Sequence, residues 1–74
     1  MPDLFAAESA AWRIKALGQE ITADAHALAL TVKHDAVLAD LRRRVATLRK
    51  MAVAVEQATG QFETALQSME ETAQ

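Results

Sequence analysis

A heptad pattern that runs without interruption from residue 38 to residue 69 constrains the fold of this 74-residue chain most strongly. Apolar residues recur there at alternating steps of three and four, a spacing that places side chains along one side of an α-helix. With a at Leu38 and d at Leu41, the positions are Leu38, Leu41, Val45, Leu48, Ala52, Val55, Thr59, Phe62, Leu66 and Met69. The pattern predicts a long, coiled-coil-like helix over about residues 36–71. Because it continues through Gly60, it favours a continuous helix over a bend at that glycine.

A second apolar stripe predicts another helix over about residues 3–33. Pro2 and Asp3 are typical of a helix start, where a carboxylate can accept hydrogen bonds from the free amide groups. The stripe consists of Ala7, Ala10, Ile14, Leu17, Ile21 and Leu28, with the polar residues Asp24 and Thr31 at two of its positions.

The two stripes differ in phase, because extending the first would place the charged Asp35 just before Leu38. The change lies between Val32 and Leu38, and either a stutter in one helix or a turn between two helices would accommodate it. A single helix of this length would extend for about 110 Å without a core. We therefore favour a turn, with Asp35 capping the second helix. A break at Gly18 is the alternative.

The expected architecture is all-α, with a single domain over residues 1–74 that folds as a two-helix antiparallel hairpin. Because two helices alone make a thin core, we expect the hairpin to dimerise, either into a four-helix bundle or by pairing along its long second helix. The alternative is a monomer whose first helix covers the second stripe. The predicted dimer interface is Leu41, Val45, Leu48, Ala52, Val55, Phe62, Leu66 and Met69.

Charges beside the second stripe predict the orientation of that dimer. The e positions are Arg42, Arg49, Glu56, Glu63 and Glu70. A parallel pair would bring Arg44, at g, against Arg49, whereas an antiparallel pair places e against e. Arg42 then meets Glu70 and Arg49 meets Glu63, while Glu56 meets its own copy. The pattern predicts an antiparallel homodimer with its two-fold axis near Val55 and Glu56.

Composition and motifs argue against several classes of function. The chain has no Cys and a net charge of -2, and no apolar run approaches the roughly 20 residues of a membrane-spanning helix. No phosphate-binding loop, metal-ligand cluster or nucleophile motif occurs, and neither His26 with Asp24 nor His34 with Asp35 converges on one point. We expect a non-enzymatic, cytoplasmic protein that uses no cofactor or metal and does not bind membranes.

The N-terminal residues Leu4, Phe5 and Trp12 have two interpretations. They could pack in the core against the far end of the second helix, or they could remain exposed and bind another protein, as aromatic side chains often do at interfaces. The second interpretation predicts a protein-binding surface on the first helix.

A basic cluster in the second helix supports a different function. Its members are Arg42, Arg43, Arg44, Arg49 and Lys50, which could contact phosphate groups of RNA or DNA. The same side chains could instead form the antiparallel ion pairs, and no aromatic residue lies nearby for base stacking. The sequence thus favours a homodimeric protein-interaction module, such as an adaptor, an inhibitor or a secretion-type chaperone. The alternative is a helical regulator that binds nucleic acid through the basic cluster.

Overall fold

Two long helices form the protein and pack against each other as a hairpin. The computed structural model describes residues 4–34 and 37–73. Helix α1 spans Leu4–His34 and helix α2 spans Leu38–Ala73. The all-α hairpin predicted from the two stripes is confirmed.

The helix boundaries agree with the phase change between the stripes. Helix α1 ends at His34, and the Leu41 amide donates a 3.0 Å hydrogen bond to the Val37 carbonyl at the start of α2. Helix α1 continues through Gly18, so the alternative break at that residue is wrong. Helix α2 likewise continues through Gly60. The predicted caps, Asp3 and Asp35, lie outside the described residues.

The face of α1 that packs on α2 is the predicted stripe. Ala7 and Ala10 are buried. The half-buried members of this face are Ile14, Leu17, Ile21, Asp24, Leu28 and Thr31. The seven-residue repeat of the first half therefore marks the inner side of the hairpin.

Helix α2 packs on α1 with a face that differs from its predicted stripe. All five d positions are half-buried. At the g positions, Arg44 and Met51 are half-buried, and Ala58 and Ala65 are the most buried residues of α2. The a positions are exposed instead. The physical reason is side-chain size, because alanines on both helices let the two backbones approach closely along the d and g rows.

The core within this hairpin is small. Among the described residues the buried ones are four alanines, Ala7, Ala10, Ala58 and Ala65. The molecule measures 57 × 15 × 12 Å and exposes 5720 Å² of surface. A folded monomer of this mass exposes about 4,450 Å² on average. One hairpin thus leaves far more surface in water than a compact protein of its size.

Candidate interaction surface

One side of the hairpin is uncharged along both helices. On α2 it is formed by the exposed a positions. On α1 it is formed by an exposed row that begins at Leu4 and repeats every seven residues as far as Val32. The ten residues are Leu4, Ala11, Gly18, Ala25 and Val32 of α1 and Leu38, Val45, Ala52, Thr59 and Leu66 of α2. We call this surface the open face.

The two rows lie on the same side of the hairpin. On the opposite side, Ala6 and Arg13 of α1 line a groove with Gln61 and Thr64 of α2. These four residues flank, on one side, the rows of buried and half-buried side chains through which the helices pack, which we call the inner rows. Both helices are right-handed and run in opposite directions. The two rows on the other flank of the inner rows therefore also lie together.

The open face is apolar as well as uncharged. Its larger side chains are strongly exposed, with Leu4 at 63%, Leu38 at 62% and Val32 at 55% of their full accessibility. The polar atom of Thr59 is already satisfied, because its hydroxyl donates a 2.8 Å hydrogen bond to the Val55 carbonyl. Contiguous apolar patches on a protein surface often mark sites of interaction with other molecules.

A charged row borders the open face on α2. Its members are the e positions Arg42, Arg49, Glu56, Glu63 and Glu70, all of which are exposed. Basic residues occupy the end near the interhelical turn, and acidic residues occupy the rest of the row. The charges predicted to set the dimer orientation therefore stand next to an uncovered apolar surface.

The residues predicted to form a dimer interface divide between two surfaces. Val45, Ala52 and Leu66 belong to the open face. The others are half-buried on the side of α2 that packs on α1, namely Leu41, Leu48, Val55, Phe62 and Met69. The alternative in which α1 covers the stripe thus holds for the d positions, and the a positions stay available.

The N-terminal residues Leu4, Phe5 and Trp12 are exposed, so core packing is the wrong interpretation for these side chains. Leu4 lies on the open face, whereas Phe5, at 83% exposure, and Trp12, at 59%, lie on the outer side of α1. Lys15 places its ammonium group 4.9 Å from the Trp12 ring centroid, within cation–π distance. Phe5 also borders the groove beside Arg13, which encloses about 540 Å³.

The basic cluster is spread around α2 and does not form one patch. Arg42 and Arg49 border the open face, while Arg43 and Lys50 lie farther round the helix. Arg43 forms an ion pair with Asp40 one turn earlier. Arg44 points toward α1, where its Nε atom is buried and has no hydrogen-bond partner among the described residues. Arg44 lines one groove with Arg43 and with Asp24 of α1, apart from Arg42 and Arg49 beside the open face.

Sequence reasoning missed the α1 half of the open face. A signal was present, because Leu4, Ala11, Gly18, Ala25 and Val32 recur every seven residues without a charge. Any alanine-rich helix contains rows of small residues at this spacing, so the sequence does not single this row out. Only the packing of α2 shows that this row is left exposed.

The remaining polar residues do not gather into a site. Within residues 4–34 and 37–73, no group of three or more His, Cys, Asp or Glu side chains could hold a metal ion. His26 and His34 are exposed. Neither of the two described helices is long and apolar enough to cross a bilayer.

Comparisons with known proteins give no family for this chain. It matches no protein-family model, no curated protein and no solved structure.

Replacing Arg44 by Met tests the placement of its guanidinium group. A buried N–H without an acceptor costs about 1–3 kcal/mol, so Arg44→Met should raise the free energy of unfolding by about 1 kcal/mol. Urea denaturation followed by far-ultraviolet circular dichroism, at one protein concentration, measures this change.

Arg43→Met is the matched control, because it makes the same chemical change at a residue whose side chain is 73% exposed. It should lower the free energy of unfolding by no more than about 0.5 kcal/mol through loss of the Asp40 pair. If Arg44→Met destabilised the protein more than Arg43→Met does, the guanidinium would have an acceptor, and our placement of it would be wrong.

Proposed function

We propose that the protein is a non-enzymatic protein-interaction module that works as an antiparallel homodimer. In this dimer the open faces of two hairpins pack together to form a four-helix bundle. The bundle then acts as an adaptor, an inhibitor or a secretion-type chaperone that presents other surfaces to a second protein.

The observation that carries this proposal is the exposure of the open face. All ten of its positions are exposed and none is charged. The hairpin exposes 5720 Å², which is over 1,000 Å² more than the average for its mass. A standard protein–protein interface removes about 800 Å² from each partner, so covering this face would remove more than half of that excess surface.

A second copy of the chain is the occupant that the neighbouring charges favour. In an antiparallel arrangement of α2 against α2, Arg42 lies level with Glu70 of the second copy and Arg49 with Glu63. These pairs occur twice in a symmetric dimer. Each exposed pair contributes only about 0.2–1 kcal/mol, so the pairs select the orientation while apolar burial supplies most of the affinity.

The outer side of α1 stays accessible in this dimer. Phe5 and Trp12 are exposed outside the open face, with Phe5 bordering the groove on the opposite side of the hairpin, and Leu4 lies at the end of the interface. Burial of exposed aromatic side chains is a common source of binding energy at protein interfaces. We therefore assign Phe5 and Trp12, with Leu4 at their edge, to the binding of another protein.

Charge reversal tests the orientation of the dimer without changing its apolar surface. One variant carries Arg42→Glu and Arg49→Glu, and the other carries Glu63→Arg and Glu70→Arg. Each alone replaces four attractive contacts per dimer by four repulsive ones. We expect a loss of about 2 kcal/mol, or roughly a 30-fold rise in the dimer Kd, measured by sedimentation equilibrium.

Mixing the two variants supplies the control. An antiparallel heterodimer restores all four attractive contacts, so the mixture should recover the wild-type Kd, while circular dichroism should show unchanged helix content throughout. The orientation would be wrong if either variant alone dimerised as tightly as the wild type, or if mixing produced no heterodimer.

Nucleic-acid binding is the second candidate function, and the exposure of Arg43 and Lys50 keeps it testable. If the protein is an interaction module, the double variant Arg43→Gln and Lys50→Gln should keep the dimer Kd unchanged. The control is the double variant Arg13→Gln and Lys15→Gln, which makes the same charge change on α1. The two double variants should then be retained equally on heparin or RNA. Retention that only the α2 variant abolishes would support the nucleic-acid function instead.

A further inference from the structure

We infer that α1 forms half of the dimer interface, packing against α1 of the second copy around a two-fold axis that is perpendicular to the helices. This axis passes Gly18 of α1 and Glu56 of α2. The inference rests on the proposed homodimer and adds the contribution of α1, the position of the axis and the residue at which two backbones come closest.

The first argument is that Gly18 and Glu56 lie at the same height in the hairpin. In an antiparallel pair, residues at one height have numbers with a nearly constant sum. Ala10 and Ala65 line one groove and give 75, while Asp24 lines another with Arg43, Arg44 and Thr47 and gives 67 to 71. Gly18 therefore lies level with residues 49–57 of α2, a range that includes Glu56. One axis can serve the symmetry of both helices.

The second argument is the order of side-chain sizes along α1. About an axis at Gly18, Ala11 meets Ala25 of the second copy and Leu4 meets Val32. Small residues thus face small ones at the centre, and the large residues face each other at both ends. Gly18 would face its own copy, where the lack of a side chain permits close approach of two backbones.

The row of α2 on the open face has the same symmetry. About an axis near Glu56, Val45 lies level with Leu66 of the second copy, and Ala52 lies level with Thr59. The larger residues again meet toward the ends, and the smaller ones meet near the middle. Nine of the ten positions of the open face are therefore matched with another position of that face under one rotation, as an interface between two identical chains requires, and Leu38 lies beyond them at the end of the row.

Nothing within the hairpin fills the space beside Gly18. A Cβ atom built there meets no heavy atom within 4 Å, and the same is true of Gly60. Gly60 lies on the side of α2 away from α1 and outside the open face. Neither glycine is covered within one hairpin, and the proposed second copy covers only Gly18.

The charges disfavour the other symmetric arrangement, in which the axis runs along the helices and α2 packs on α1 of the second copy. There the row of charges on α2 faces Glu8 and Lys15, so that Glu56 meets Lys15 but Glu63 meets Glu8. Attraction and repulsion then cancel, whereas the perpendicular axis gives four attractive contacts from α2. The perpendicular axis also leaves Glu8 level with Ala29, and Lys15 with Thr22, of the second copy.

Disulfide trapping tests the position of the axis in the full chain, which has no Cys of its own. Gly18→Cys should form a covalent dimer under mild oxidation at least tenfold faster than Gly60→Cys, because Cα atoms within about 7 Å can be bridged. If the axis ran along the helices, Gly18→Cys alone would form a covalent dimer no faster than Gly60→Cys does. A mixture of Gly18→Cys and Ala52→Cys would then form a covalent heterodimer rapidly. Either result would overturn the inference.

A bulky side chain gives a second, non-covalent test. Gly18→Leu should raise the dimer Kd at least tenfold, because it separates the helices at their closest point, and Gly60→Leu should change the Kd less than twofold. Equal Kd values for the two variants would overturn the inference. A wild-type chain that is monomeric at tens of micromolar would instead overturn the proposed homodimer itself, so the two failures are distinguishable.

Discussion

The close contact between alanines of α1 and α2 determines the rest of this structure. Ala10 of α1 and Ala65 of α2 line one groove, and Ala7 and Ala58 are also buried in the hairpin. Small side chains let the helices approach, but they bury little apolar area and so contribute little stability. The same contact rotates α2 so that its d and g rows face α1. The a row, with Leu38, Val45 and Leu66, is consequently left in water.

Much of the fold could be predicted from the sequence because helix formation follows local spacing. The stripe from Ala7 to Leu28 and the phase change before Leu38 predicted both helices and the place where they are interrupted. The face of α2 could not be predicted as well, since the a, d and g rows are all largely apolar. Which two of these rows pack inward depends on the fit between alanines of different helices, and a single stripe does not contain that information.

The rotation of α2 about its own axis also decides which of the predicted interaction residues are exposed. Five d residues of the predicted interface are half-buried within the hairpin, while Val45, Ala52 and Leu66 are not. Arg44 was grouped with four other cations because it is adjacent to them in sequence, yet the rotation of α2 turns it toward α1. The exposure of Phe5 and Trp12 depends on their position on the outer side of α1, which only the packed hairpin defines.

Three surfaces therefore have separate roles in our account. The inner rows hold the hairpin together, the open face pairs two copies, and the outer side of α1 offers aromatic side chains to another protein. In the proposed dimer, the open face adds buried apolar area to a chain too short for a large core of its own. It also explains why the charges along α2 change sign from one end to the other, because a two-fold axis brings opposite ends together.

The distance between spin labels on Gln67→Cys of two copies, measured by pulsed electron paramagnetic resonance, tests this account most directly. Gln67 is exposed and lies outside the open face. With the axis level with Glu56, the two labels are separated by about 33 Å along the helices at 1.5 Å per residue. Our account predicts a distance distribution centred at or somewhat above that value. A distribution centred near 15 Å, or no dipolar coupling at all, would contradict it.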